Sequence, residues 1–249
     1  MIQNTKTALA ELTYGLALLG LWASTTAQEL WVDGVTEPGI EARLSAEVAG
    51  VIDKIHFKEG QFIEKGTVIL ELRNQRELSE VKRAEATLKL QTAERDRIRA
   101  LKTRTQSVSE GDLEKAEANF LTAQADFELA GANLAARKIA APFDGYVTDF
   151  FGHEIGEGAA LTDSLVHLVD PRTVSVVCNI DAALAFRVKE EDTVDVEFAG
   201  SEGTLTRKAT ITFVSKIVDP ASGLLRIRAT FSNEDEVIRP GVAAKLRIP

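Results

Sequence analysis

Two stretches decide the reading of this chain: AEVAGVIDKIHFKEGQFIEKGTVILEL, residues 46–72, and KIAAPFDGYVTDFFGHEIGEGAALTDSLVHLVDP, residues 138–171. Each is β-like text punctuated by glycine, with turns expected at Glu59-Gly60 and Lys65-Gly66 in the first. They echo one another. Gly50-Val51 matches Gly145-Tyr146, and Gly60 to Leu72 takes the same number of steps as Gly156 to Leu168. Apolar Leu70 and Leu72 then meet Val166 and Leu168, and the later copy carries one extra residue between its first two matched glycines. The stretches form an internal repeat with something inserted between its copies.

The insertion is helical. From Gln75 to about Arg104 there is no Gly or Pro, and Glu, Lys, Arg, Ala and Leu dominate. Asn74 with Glu77 fits an N-cap and its capping-box partner. Val81, Ala84, Leu88, Gln91, Arg95 and Ile98 recur at steps of three and four, a seam interrupted by two polar members. At 1.5 Å per residue the helix is about 45 Å long. After a polar break around Thr103 to Val108, Ser109 with Asp112 offers a second cap, and the run to Ala136 is again helical. Here the seam is unbroken: Leu113, Ala116, Phe120, Ala123, Phe127, Ala130 and Leu134 alternate large residues with alanine, which lets a neighbour approach closely. Such a stripe must be covered, and the preceding helix of similar length is the nearest cover, so an antiparallel hairpin is expected. Gly131 costs about 1 kcal/mol relative to alanine there.

Beyond Thr173 the apolar period is two. Val194, Val196 and Phe198 alternate with Thr193, Asp195 and Glu197; Leu225, Ile227, Ala229 and Phe231 alternate with Arg226, Arg228 and Thr230. Several half-buried strands within about eighty residues predict a small closed β-barrel, because closure removes exposed edges. At the other end of the chain, Lys6, an apolar run from Leu12 to Trp22, and Thr25-Thr26-Ala27 before Gln28 suit a cleaved export signal. An uncleaved anchor stays open if the residues up to Ala27 are counted with the run, since a span needs about 20 apolar residues.

Composition narrows the function. The net charge of -9 comes from acidic residues interspersed with Lys and Arg, so there is no basic stripe for nucleic acid. Cys178 is the only cysteine, in the apolar run Val174 to Ile180, and reads as a buried small hydrophobe. Neither a disulfide within the chain nor a thiolate metal cluster can form. His56, His153 and His167 show no ligand spacing, Met1 is the only methionine, and Glu190-Glu191-Asp192 reads as a solvated turn. No GxSxG, Gly-rich phosphate loop or Cys/His dyad is present, so there is no nucleophile or base on which to build an enzyme, and no cofactor is expected.

Two half-copies interrupted by a coiled coil and followed by a barrel resemble the periplasmic adaptor, or membrane fusion, subunits of RND-type multidrug efflux systems, the HlyD-like family. AGVIDKIHFKEGQFIEKGTVILEL resembles that family's first lipoyl half, AAPFDGYV the entry to its second, and NEDEVIRPGVAAKLRIP the end of its barrel, with Arg239-Pro240-Gly241 characteristic. The resemblance covers about Gly34 to Pro249. It implies a mostly β fold with a long α-helical hairpin: a split biotinyl/lipoyl-like barrel-sandwich hybrid (42–73 and 138–170), an inserted antiparallel coiled coil (74–137) and a C-terminal small β-barrel (28–41 and 171–249), after a leader over 1–27. In the carrier domains of biotin- or lipoate-dependent enzymes a modified lysine occupies the turn that Arg73 to Arg137 replaces here.

The resemblance further implies a periplasmic protein associated with the inner membrane, joining an inner-membrane RND-type transporter to an outer-membrane channel as a trimer or hexamer. An adaptor for a type I secretion or ABC-type exporter is the alternative, and a biotinyl/lipoyl carrier domain a more distant one. At the hairpin tip the family meets the channel through an Arg, a Leu four residues on and a Ser seven beyond that. Arg97 and Leu101 keep the first spacing; Ser109 comes one residue late, implying a longer tip loop, and its other reading is a helix cap. The family's membrane-proximal domain, which usually follows the barrel, is not expected within these residues, so contact with the inner-membrane partner would fall mainly to the barrel.

Overall fold

A computed structural model describes residues 30–105, 108–200 and 203–248. The leader reading over 1–27, with Lys6, Leu12 to Trp22 and Ala27, lies outside the described residues, as do two residues of the hairpin tip. In chain order the elements are β1 (Leu30–Ser45), β2 (Gly50–Ile55), β3 (Phe62–Ile63), β4 (Val68–Leu72), α1 (Gln75–Thr105), α2 (Glu110–Ala135), β5 (Lys138–Ala140), β6 (Gly145–Asp149), β7 (Gly158–Ala159) and β8 (Ser164–Asp181). A 3-10 turn (Ala182–Arg187) precedes β9 (Thr193–Gly200), β10 (Gly203–Val214), β11 (Leu224–Ser232) and β12 (Ala243–Ile248).

The repeat in the sequence is a repeat in the backbone, and its copies exchange strands. β3 of the first copy pairs with β6 of the second, Ile63 opposite Gly145, while β7 of the second pairs with β2 of the first, Ala159 opposite Gly50. The hydrogen bonds repeat in the same way. Gly60 donates to Val147 O at 2.7 Å and Gly156 to Ile52 O at 2.8 Å; Gly66 donates to Ala141 O at 2.8 Å and Thr162 to Ala46 O at 2.9 Å. Gly60, Gly66 and Gly156 all sit at positive φ, as turns of this kind favour. Thr162, the counterpart of Gly66, takes φ 69 although it is β-branched.

One core results. Ile52, Ile63, Ile69, Leu70 and Leu72 of the first copy and Ile139, Val147, Leu165, Val166 and Leu168 of the second are buried together. Neither copy carries enough apolar surface to close a core alone, so the fold requires them to meet across the inserted hairpin.

Six strands in the order β1-β12-β9-β10-β11-β8 close on themselves through β1 and β8. The interior residues include Val174, Val176, Cys178 and Ile180 of β8 and Ile227, Ala229 and Phe231 of β11, the alternation expected of an antiparallel barrel. β1 and β8 pass through both bodies. Their pairing runs from Gly34 opposite Cys178 to Pro38 opposite Val174, breaks, and resumes from Ile40 opposite Asp170 to Ser45 opposite Ser164. At the break a Cβ on Gly39 would lie 2.9 Å from Thr173, so only glycine fits where the strands cross between the two cores.

Two buried polar residues fasten this junction. Thr36 accepts at its Oγ1 from Val242 N at 2.8 Å, while its carbonyl accepts from Gly241 N at 2.8 Å, which pins the Arg239-Pro240-Gly241 turn. Asn233 donates from Nδ2 to Pro171 O at 2.8 Å and Ile238 O at 2.9 Å and accepts from Ile238 N at 3.1 Å. Beside them the Tyr146 hydroxyl, on the split body, donates to Glu236 Oε2 at 2.9 Å, on the barrel side. That bond raises the phenol above its ordinary value.

Candidate functional site: the hairpin and its clamp

The helices form where the sequence places them, and polar residues of α1, among them Arg95 that interrupts the first seam, cross-link them. Arg95 lies with its guanidinium 3.9 Å from the centroid of the Phe120 ring, so the polar member of α1 closes the stripe of α2 through a cation–π contact. Arg99 Nη2 donates to Glu117 Oε1 at 2.8 Å, and Lys102 Nζ lies 2.6 Å from Glu110 Oε2. These pairs fix an antiparallel register. On α2 the alanines Ala116, Ala123 and Ala130 are buried, while Leu113, Phe120, Phe127 and Leu134 are half-buried. A two-helix stripe leaves each large side chain one open flank, which is why alanine alone reaches full burial.

The base is clamped. α1 leaves β4 within two residues and α2 enters β5 within two, so both roots spring from neighbouring strands of one small sheet. Glu77 does not turn back to complete a capping box with Asn74. It pairs with Arg137, Oε1 to Nη2 at 2.8 Å, and Arg137 Nη1 donates to Ala49 O at 2.8 Å. The first helix, the exit of the second and β2's approach are tied through one guanidinium, the planar fork suited to such bridging. Sequence reasoning missed this clamp because the spacing of Glu77 from Asn74 points to a capping box instead, and Arg137 stands out by neither period nor spacing.

At the tip Arg97 and Leu101 lie one turn apart on exposed α1. Arg97 is engaged by its own helix: Nε donates to Glu94 Oε2 at 2.9 Å and Nη2 to Glu94 Oε1 at 2.6 Å. The hydrogen bond holds Glu94 below and Arg97 above their ordinary values. Leu101 is 39% exposed. Ser109 is the N-cap of α2, with φ -71 and ψ 157, accepting from Asp112 N at 3.1 Å and donating to Asp112 Oδ2 at 2.7 Å. All three residues are therefore near the end of the hairpin, with Ser109 in the capping role.

The polar groups singled out elsewhere are local. His56 faces Glu71 at 3.2 Å, His153 faces Glu157 at 3.7 Å, and His167 lies between Thr148 Oγ1 at 2.9 Å and Glu41 at 3.4 Å. No three His, Cys, Asp or Glu side chains converge on a metal position among the described residues. Cys178 is buried against Gly34, where burial and the nearby Asp33 charge push the thiol up to about 12. A thiol of that acidity is almost wholly protonated at neutral pH and unreactive. Glu190 and Glu191 are exposed in a turn, Glu191 at φ 72. No helix among the described residues is long and apolar enough to cross a membrane.

A split lipoyl-like body clamping a coiled-coil hairpin and joined to a six-stranded barrel defines the class: this is the architecture of the membrane fusion proteins. Over 88% of the chain it superposes on the crystal structure of a MacA-MexA chimeric protein carrying the Pseudomonas aeruginosa MexA α-hairpin domain, with a TM-score of 0.78, 22% identity and 81% of that structure covered. In sequence it is 26% identical to the multidrug efflux pump subunit AcrA of Escherichia coli K12, across 83% of this chain and 58% of AcrA. It is 24% identical to the solvent efflux pump periplasmic linker SrpA of Pseudomonas putida, across 81% of this chain and 56% of SrpA. No protein-family model matches the chain. In fold and in sequence the chain is similar to periplasmic adaptor, or membrane fusion, proteins, and it spans a little under three-fifths of the length of these relatives.

Proposed function

We propose that the chain is a periplasmic adaptor in a tripartite export complex, linking an inner-membrane transporter of the RND type to an outer-membrane channel. The observation that carries this reading is the clamp: one compact β-body holds both roots of a hairpin whose longer helix has 31 residues, about 46 Å at the helical rise. A helix pair held at both roots moves with its base and carries a contact at its tip across that distance. Arg97, Leu101 and Ser109 form the channel-facing tip in this reading. The exposed Leu90, Leu121 and Leu129 on the flanks of the hairpin support side-by-side packing of copies, as a trimer or hexamer. Binding energy rather than catalysis does the work, and no cofactor takes part.

A single cysteine at Val108, in a chain whose Cys178 is replaced by alanine, tests the tip. Crosslinking in cells followed by purification should recover an outer-membrane channel protein. Recovery of no channel from cysteines placed along the tip, while the chain stays folded, would overturn the reading. Mass spectrometry of the purified chain should find no biotinyl or lipoyl adduct; an adduct would favour a carrier domain.

A further inference from the structure

The repeat leaves one strand edge open in each copy, and both edges line the same cleft. β5 is the terminal strand of the four-stranded sheet, with β4 on one side alone. β1 pairs with β12 only from Leu30 to Val35, so from Ile40 to Ser45 it has β8 on one side and, among the described residues, no strand on the other. Between them lies a cleft of about 340 Å³, lined by Arg43, Leu44 and Ser45 of β1 and by Lys138, Ile139 and Ala140 of β5. These are the same positions of the two copies. Arg43 stands seven residues before Gly50 and Lys138 seven before Gly145, so Leu44 matches Ile139 and Ser45 matches Ala140.

The edges decide what can enter. At the ends of β5, Leu72 N donates to Arg137 O at 2.8 Å and Ala141 N to Thr67 O at 2.9 Å, so residues 137 and 141 face β4. By strand alternation the amides and carbonyls of Lys138 and Ala140 face away from β4, toward the cleft. The two open strands belong to the two sheets that close over the shared core. Packed sheets lie about 10 Å apart and paired strands about 4.8 Å, so the interval between the edges admits one further strand and is too narrow for a helix.

The rim decides the chemistry of that strand. Arg43 and Lys138 are exposed, one on each side, and neither makes an ion pair among the described residues. Glu47 is the one carboxylate among the residues lining the cleft, which is therefore positive in a chain whose net charge is -9. The floor is apolar, with Ile139 buried and Leu44 half-buried. A strand alternating apolar residues with Asp or Glu sets the first against Leu44 and Ile139 and the second beside Arg43 and Lys138. In such an addition main-chain pairing supplies the affinity and side chains supply the selectivity.

We propose that this cleft takes up an extended acidic segment of a partner protein as an added β-strand, joining β5 to β1 and closing the split body on that side. The cleft reaches Ala136 at the foot of α2, so a strand seated there binds at the root of the hairpin, remote from its tip. The site follows from the repeat alone and holds whatever the hairpin tip contacts.

The test adds short capped peptides to the full chain and reads amide hydrogen exchange residue by residue. A peptide alternating valine with glutamate should slow exchange at Lys138 and Ala140 and over 40–45, with the other strands of the body unchanged. The same peptide with lysine for glutamate, or with methylated backbone amides, should protect neither edge. In the double variant Arg43→Glu, Lys138→Glu, which alters two exposed side chains, protection by the glutamate peptide should be lost and protection by the lysine peptide gained. No protection from the glutamate peptide, equal protection from all three peptides, or protection of one edge alone overturns the proposal. Protection that needs no peptide and grows with chain concentration overturns it in favour of a strand from a second copy. No channel or transporter is present in this assay, so its failure is separate from failure of the tip crosslink.

Discussion

The split body and the hairpin have comparable numbers of residues but are held together in opposite ways. In the body, Ile69, Leu70, Leu72, Leu165, Val166 and Leu168 have no exposed surface, and its strands pair residues as distant in the chain as Ile63 and Gly145 or Gly50 and Ala159. In the hairpin the buried side chains are Ala116, Ala123 and Ala130 of α2 and Glu77 at the root of α1, and the helices are cross-linked by two ion pairs, a cation–π contact and alanine packing. The lesson is a division of labour: long-range pairing makes a base that unfolds as a unit, and a thin two-helix stripe makes a lever whose flanks stay free for other chains.

This contrast can be broken most forcefully in the base. Leu168→Ala removes a fully buried side chain from the core shared by both copies and should cost about 2–5 kcal/mol, read as a lowered denaturant midpoint for strands and helices together. If only the second copy loosened, the copies would not share a core. Phe120→Glu puts a charge into the seam and removes the ring under Arg95; helical ellipticity and hydrogen-exchange protection over 75–135 should collapse while β8 and β11 stay protected. Retained helicity would contradict the seam. Arg137→Ala strands the carboxylate of Glu77 at the root and should cost about 1–3 kcal/mol, with exchange accelerating first at the ends of α1 and α2 nearest the body. Acceleration confined to the tip would show that the clamp is not there. Gly131→Ala has open space for its new methyl group and should raise hairpin stability by about 1 kcal/mol without altering the exchange of the body.

The parts of this molecule that obey local rules were legible in the sequence. The seam of α2 was read residue by residue because an alternation of large residues and alanine at helical spacing has one packing solution, and the glycine turns because Gly60 and Gly66 need positive φ. The repeat was visible through its glycines and paired leucines, although Thr162 hides one equivalence by standing where the first copy has glycine. Its amide, bonded to Ala46 O, holds the turn that its side chain disfavours.

What depended on distant partners could not be read. Pro171 looks like the end of a strand, yet β8 continues past it because Asp170 and Arg172 brace the kink: Arg172 donates to Asp170 Oδ2 at 2.8 Å and holds that carboxyl below its usual range. Glu77 suited a capping box, but an arginine sixty residues away takes its carboxylate. Arg95 looked like a flaw in the seam until Phe120 was opposite it. At the tip, spacing selected Arg97, Leu101 and Ser109, and their positions near the end of the hairpin follow from hairpin length alone; their contacts with a channel belong to the proposal.

The most direct test replaces Val51 and Gly158, opposite each other where β2 meets β7, with cysteines in a Cys178→Ala background. On mild oxidation the account predicts one intramolecular disulfide, an unchanged circular dichroism spectrum and stability raised by about 4 kcal/mol, because the bond closes a loop of roughly a hundred residues that contains the hairpin. Disulfides that form only between chains, or only with loss of the native spectrum, would contradict it.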